Sequence, residues 1–452
     1  MKVRFEHISL LFLPIFGCVE PFDVGPELET DNSLEGTLIV EATITNVAKR
    51  QRVLLSRMQQ VESDSTVNVD DDTLFNPFTP VLITNGLAPA FESNASVEIR
   101  DDLGTVYTFV ETESGTYESV ASFAAAPNRS YQLFVTTSDN ESYTSTEVSM
   151  PSTSSIDAIY AERILTDIGQ DGMAIYVDSS VASEEDAFLR YSYEETYKII
   201  APNWSPSEFE IIRDQTEIIT DASGQVIDVL YPDVRTVPRA REEQVCFKTD
   251  PSTELILGDL ENLNGGIITR NRVRFLDRNN PIIAHRYSIL LTQYVTNPEA
   301  YGFYERLRNF SGSESVFSQV QPGPLEGNVT NSQKEELVVG LFEVATETSQ
   351  RIYFNFADFF PGEPLPPYFG DGFNCDRILS PPLPNPERDG PPSPDGPCPQ
   401  PLIERIRLGL VEYVDVNGLP QICEGPYFVT NTLCGDCNVV GTNVVPEFWI
   451  EE

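Results

Sequence analysis

The chain is 452 residues long and carries 29 Lys+Arg against 70 Asp+Glu, a formal net charge of −41. That length predicts two or three domains with substantial cores, and so acidic a surface repels nucleic acid and anionic headgroups, making both poor partners. Beyond the N-terminal segment the only histidine is His285, so a Ser-His-Asp triad, a Cys-His pair or a histidine zinc site would have to use that residue. It stands in Ala284-His285-Arg286-Tyr287 at the start of a strand-like run and reads as an ordinary strand residue.

Met1-Lys2-Val3-Arg4 is a short basic start, followed by an apolar stretch from Ile8 to Phe16 and then Gly17-Cys18. A basic region, an apolar region of about 7–15 residues and a small residue before the cut are the parts of a secretory signal. The stretch is far shorter than the roughly 20 residues that cross a bilayer as a helix, so residues 1–17 are expected to be removed. Ile15-Phe16-Gly17-Cys18 resembles a bacterial lipobox, with Phe16 in place of the usual small residue. Cys18 is therefore predicted to carry lipid and to hold the protein on a membrane. Stable attachment needs two or more acyl chains, which a diacylglyceryl, N-acylated cysteine supplies. The alternative is an ordinary signal with an incidental cysteine. Residues 18–35, acidic and containing Pro and Gly, are read as a tether between lipid and fold.

From Gly36 the pattern turns to β. Runs at Thr37–Ile44, Arg52–Ser56, Ala95–Arg100, Thr105–Val110, Gly115–Tyr117, Tyr131–Thr136 and Tyr143–Thr146 are separated by turn signals such as Asp101-Asp102-Leu103-Gly104 and Asp139-Asn140. Short strands at about 8–12-residue spacing argue an antiparallel sandwich. An immunoglobulin-like β-sandwich is expected over residues 36–151, closed by Met150-Pro151.

A larger β-rich domain with one or two short helices is expected over residues 152–452. Ala174–Val177 and Phe188–Ile200 read as strands, the latter placing Tyr191, Tyr193 and Tyr197 on one face at period two. Such a row stacks on sugars in some proteins; a packed sheet face is the preferred reading. One helix follows Asn297, with Pro298 in the first turn and Glu299 as an early acid. Ala300, Tyr301, Tyr304 and Leu307 recur in it at helical spacing. Leu337–Val344, Arg351–Phe354 and Ile406–Tyr413 give further strands. Between Pro361 and Pro401 lies a proline-crowded loop containing Cys375 and Cys398; a bond between those two would pin it.

The seven cysteines are Cys18, Cys246, Cys375, Cys398, Cys423, Cys434 and Cys437. With Cys18 acylated an even set remains, and in an oxidising compartment disulfides are the default, with 15 possible pairings. Cys434-Gly-Asp-Cys437 is half of a zinc knuckle, but no second pair completes it. No metal site and no cofactor are expected. Asp70-Asp71-Asp72 and Asp167-Ile168-Gly169-Gln170-Asp171-Gly172 offer oxygen ligands without the spacing of an EF-hand loop.

Several segments taken in order resemble one family, the Bacteroidota lipoproteins grouped as domain of unknown function 4249. They are Gly17-Cys18 with Glu20-Pro21-Phe22, Leu38–Glu41 with Ile44-Thr45-Asn46, Val53–Arg57, Tyr287-Ser288-Ile289 with Ala300–Tyr304, Gly327–Asn331, Cys434–Cys437, Gly441-Thr442-Asn443 and Pro446–Trp449. The resemblance implies an outer-membrane lipoprotein, anchored through Cys18 and exposed on the extracellular face, that works beside a TonB-dependent transporter. Glu20 and Asp23 resemble the acidic surface-export tether of such lipoproteins, and the Pro361–Pro401 stretch is expanded relative to the family. The resemblance supplies no catalytic residues.

The expected function is therefore a non-enzymatic accessory or binding component of a TonB-dependent nutrient-uptake system. A structural or adhesive surface protein stabilised by calcium is one alternative, and a glycoside hydrolase using two carboxylates is another.

Overall fold

The computed structural model describes residues 35–61, 86–182, 188–259, 263–311, 325, 327–369, 375–383, 402–418 and 424–451. Cys18, Cys398, Cys423, the Asp70–Asp72 run and most of the proline-crowded loop lie outside them.

The protein is mainly β, as the alternating runs predict. The strand Leu38–Thr45 buries Leu38, Val40, Ala42 and Ile44 at period two and pairs antiparallel with Arg52–Val61. From there a hydrogen-bonded path continues through Thr116–Ser119, Val106–Glu113, Ser96–Asp101, Ser130–Thr136 and Ser142–Ser145. The path turns back over itself, so that Val40, Ile44 and Val53 meet Ile99, Tyr117 and Leu133 in one core.

That core is completed from far along the chain. Val329–Asn331 adds to the edge of Ser142–Ser145, and the strand Val338–Asn355 lies parallel to Leu38–Thr45 from Leu38↔Val338 to Thr45↔Ala345. Val329, Val338, Phe342 and Val344 are thus part of a core whose other members precede residue 151. Two runs read separately, 337–344 and 351–354, are one 18-residue strand. Its second half leaves the first core and pairs antiparallel with Arg286–Val295, from Val295↔Thr346 to Arg286↔Asn355. This central strand therefore joins the two halves of the protein in one sheet.

Next to Arg286–Val295 come Leu189–Ile200 and then Val245–Pro251. A second sheet, containing Ser154–Leu165, Asp171–Val181 and Ile267–Asp277, packs on this one. Tyr191, Tyr193 and Tyr197 lie in the core between them, with Ile175, Leu291 and Phe354. Half-buried Arg274 grips buried Glu195 through two bonds of 3.1 and 2.9 Å, and the Tyr287 hydroxyl donates to the same carboxylate at 2.7 Å. A buried charge is tolerated when paired and hydrogen-bonded in this way.

The helix Pro298–Ser311 is capped as its sequence predicts, the Asn297 side chain accepting from the Ala300 N–H at 2.7 Å. Its buried face is Ala300, Tyr301 and Phe303, while Leu307 is exposed. The segment Ile406–Tyr413, expected as a strand, is instead the end of a helix, Leu402–Arg407, and the start of a strand, Val411–Val416. Leu402, Ile403 and Ile406 meet Val411 and Val429 at helical spacing. Gly409, at φ +65°, then ends the helix in the left-handed conformation glycine favours. Among the described residues no helix is long and apolar enough to cross a membrane.

Candidate functional site

His285 is not within a strand. Pro281–Ile283 forms a single 3-10 turn, started by the Asn280 side chain accepting from the Ile282 N–H at 3.1 Å and anchored by buried Ile283. Ala284 and His285 make the bend that follows, and Arg286 opens the strand. The bend places His285 at the junction of two hollows. One, of about 150 Å³, is walled mainly by apolar groups, among them Tyr197, Ile199, Ile282, Tyr368, Phe369 and Val440. The other, of about 360 Å³, is more polar and includes Arg286, Asn355, Asp358, Leu365 and Glu451. Lys198, Ile200, Ala284 and His285 line both. Together they form one cleft with an apolar recess and a polar mouth.

Several polar groups converge there. The Lys198 ammonium is 3.1 Å from Glu451, and Lys248 is 3.2 Å from Asp250. The Tyr197 hydroxyl donates to Asp250 at 2.8 Å, and burial, followed by that bond, raises its pKa. Burial and then Lys198 lower the His285 pKa, so its imidazole is neutral at pH 7. The Tyr368 hydroxyl is buried without a hydrogen-bond partner among the described residues, and burial, with Asp436 adding to it, raises its pKa. An unpaired buried hydroxyl costs roughly 1–3 kcal/mol. The set suits a small amphipathic molecule: an apolar body in the recess and an acceptor or anionic end near Lys198 and Lys248.

The cysteines build one wall. Cys246 pairs with Cys437, and Cys375 with Cys434. Of the pairings left open by the sequence, the one between Cys375 and Cys398 that would pin the loop is not formed, because Cys375 faces Cys434 across a Cα separation of 5.6 Å, within reach of a disulfide. The C-x-x-C pair is split between two bonds and offers no thiolates to zinc. Cys246 lies opposite Ile199 in the sheet, so its bond to Cys437 ties the strand paired with Lys198 and Ile199 to the segment carrying Val440. The C-terminal segment is fastened further on. Trp449 sets its ring 4.9 Å from Phe247, edge to face, and the Arg351 guanidinium lies 3.7 Å from the Phe448 ring centroid.

Composition singled out His285 only as the one histidine available, and nothing in its neighbours marked the recess. Tyr368 and Phe369 come from the proline-crowded loop, whose approach to residues 197–200 has no local signature. Among the described residues no group of three His, Cys, Asp or Glu side chains is placed to hold a metal ion. Asp171, one of the candidate oxygen ligands, accepts from Nε and Nη2 of Arg163 at 2.9 and 2.6 Å.

A family model described as Domain of unknown function (DUF4249) matches residues 21–351. The match includes the strand walls of the cleft and His285, and it ends before Tyr368, Val440 and Glu451, which close it. No curated protein matches the chain.

Proposed function

The chain belongs to the DUF4249 family, and from that premise we propose that it is a lipid-anchored binding module of the outer-membrane surface, capturing a small amphipathic ligand beside a TonB-dependent transporter. The observation that carries the binding role is the His285 cleft, since an apolar recess with a few convergent polar groups is the usual form of a ligand site. The surface address rests on the basic start, the short apolar stretch and Gly17-Cys18, followed by acidic Glu20 and Asp23. The transporter partnership is what the family resemblance implies.

Each part has its own test. A Cys18→Ser change should move the protein from the membrane fraction to the soluble fraction. Affinity capture from detergent-solubilised outer membranes should recover a TonB-dependent barrel; recovery of the lipoprotein alone, with crosslinking also negative, removes the partner. For the cleft, anilinonaphthalene sulfonate, an aromatic body with an anionic end, should bind at one saturable site and be lost in a Lys198→Ala/Lys248→Ala variant that keeps its melting temperature. Equal binding by that variant removes the cleft from the reading.

A further inference from the structure

A second hollow, which shares no lining residue with the His285 cleft, lies where Leu38–Thr45 and Arg52–Val61 run beside the central strand. It measures about 380 Å³ and is lined by Glu41, Thr43, Lys49, Arg50, Arg52 and Arg190, with Glu118 and Tyr294. Glu41 and Thr43 alternate with Val40, Ala42 and Ile44, so this is the face turned away from the first core.

Most of its charges are already committed. Arg190 donates to Glu343 at 2.5 Å, and the same carboxylate oxygen accepts from Thr43 and Tyr304 at 3.0 Å each. The Arg190 guanidinium also lies 4.4 Å from the Tyr294 ring centroid and 4.8 Å from that of Tyr304. At the rim Lys49 pairs with Glu347, and Arg50 reaches Glu118 at 3.8 Å.

Two lining side chains, Arg52 and Glu41, are exposed and have no ion-pair or hydrogen-bond partner among the described residues. They are opposite in sign. The register sets Thr43 against Arg52 and Glu41 against Leu54, so Glu41 and Arg52 are diagonal neighbours on one face, about 7–8 Å apart at the backbone. A simple anion drawn to Arg52 would also face Glu41 and Glu118. A simple cation drawn to Glu41 would face Arg50 and Arg52. A ligand that carries both charges satisfies both.

We propose that this hollow binds a small zwitterion of dipeptide size, its carboxylate on the Arg52 guanidinium and its ammonium on the Glu41 carboxylate. The planar fork of an arginine suits a carboxylate. An extended chain advances about 3.3–3.6 Å per residue, so two residues match the separation of the two backbone positions, whereas one is shorter.

The test is calorimetric titration of the full mature chain with L-alanyl-L-alanine. Saturable one-site binding is expected, weakened by about tenfold or more when the dipeptide is N-acetylated or C-amidated. Arg52→Gln and Glu41→Gln should each weaken it as much with no change in melting temperature, and Lys248→Ala, in the other cleft, should leave it unaltered. No binding to the unaltered chain at about 10 mM dipeptide, or equal binding of the capped dipeptides, overturns the proposal. Equal binding by the two variants overturns the residue assignment, and glycine binding as tightly as the dipeptide overturns the size.

Discussion

Cys434 and Cys437 stand three positions apart yet belong to different disulfides, Cys434 reaching Cys375 and Cys437 reaching Cys246. The intervening Gly435 and Asp436 turn the chain, with the Asp436 side chain accepting from the Asn438 N–H at 2.7 Å. One short segment is thereby fastened both to the proline-crowded loop and to the edge strand of the sheet.

The sequence separations differ, 191 residues for Cys246–Cys437 and 59 for Cys375–Cys434. In the chain-entropy account a longer closure stabilises more. Replacing both members of the longer bond with alanine should cost about 2–5 kcal/mol, and about 1 kcal/mol more than the same change at the shorter bond. Denaturant unfolding of the two double variants checks the order. Peptide mapping without reduction should recover the two cross-links; a fragment in which Cys434 is bonded to Cys437 would contradict the arrangement.

Glu343 is almost wholly buried and accepts from Arg190, Thr43 and Tyr304. Removing one member of a buried ion pair leaves the other charge uncompensated, at about 3–5 kcal/mol, whereas replacing both with apolar groups is often close to neutral. Glu343→Ala should therefore destabilise by about that much, and Glu343→Leu/Arg190→Met by clearly less. Urea midpoints for the three proteins decide it: a double variant as unstable as the single one would show that geometry, not the stranded charge, dominates.

Alternation of apolar and polar residues makes most of the strands legible in the sequence, and the Asn297 cap with Pro298 marks the helix start. Pairing between distant segments is not legible there. The partner of Leu38–Thr45 on one side comes 300 residues later, Thr43 bonding to Glu343, and alternation within a strand says nothing about which strand lies beside it. The same limit hides the cleft, because Tyr368, Val440 and Lys198 come from three separate segments. Ile406–Tyr413 misleads for a different reason: a short apolar run fits helix and strand alike, and Gly409 marks the break within it.

Gly340 sits where the two halves of the protein join, at φ +151°, and a Cβ there would stand 2.1 Å from the Val40 carbonyl oxygen and 2.6 Å from its nitrogen. Neither is the end of a flexible side chain, so the strands would have to part. Gly340→Ala should cost about 2–4 kcal/mol from crowding and backbone strain together, and should loosen the parallel pairing first. Hydrogen exchange ought to show faster exchange at the amides between residues 38 and 45. A variant with wild-type stability would mean that the pairing shifts at little cost.

His285 gives the protein a pH dependence with a defined sign. Burial, followed by the ammonium of Lys198, lowers its pKa from the ordinary value of 6.5, so the unfolded chain takes up a proton at a pH where the native state does not. The unfolded state then binds more protons, and stability rises with pH across that window. The contribution is fully present above about pH 6.5 and is lost as the pH falls through the native-state pKa. His285→Gln cannot take up that proton. Its urea midpoint should gain on that of the unaltered protein when the pH is lowered from about 7.5 to about 5.5. Carboxylates with lowered pKa values, such as Asp171 and Glu363, lose their contribution in both proteins alike and drop out of the comparison. A midpoint difference that is the same at both pH values would show that His285 takes up its proton equally in the native and unfolded states, and the burial assigned to it in the cleft would be wrong.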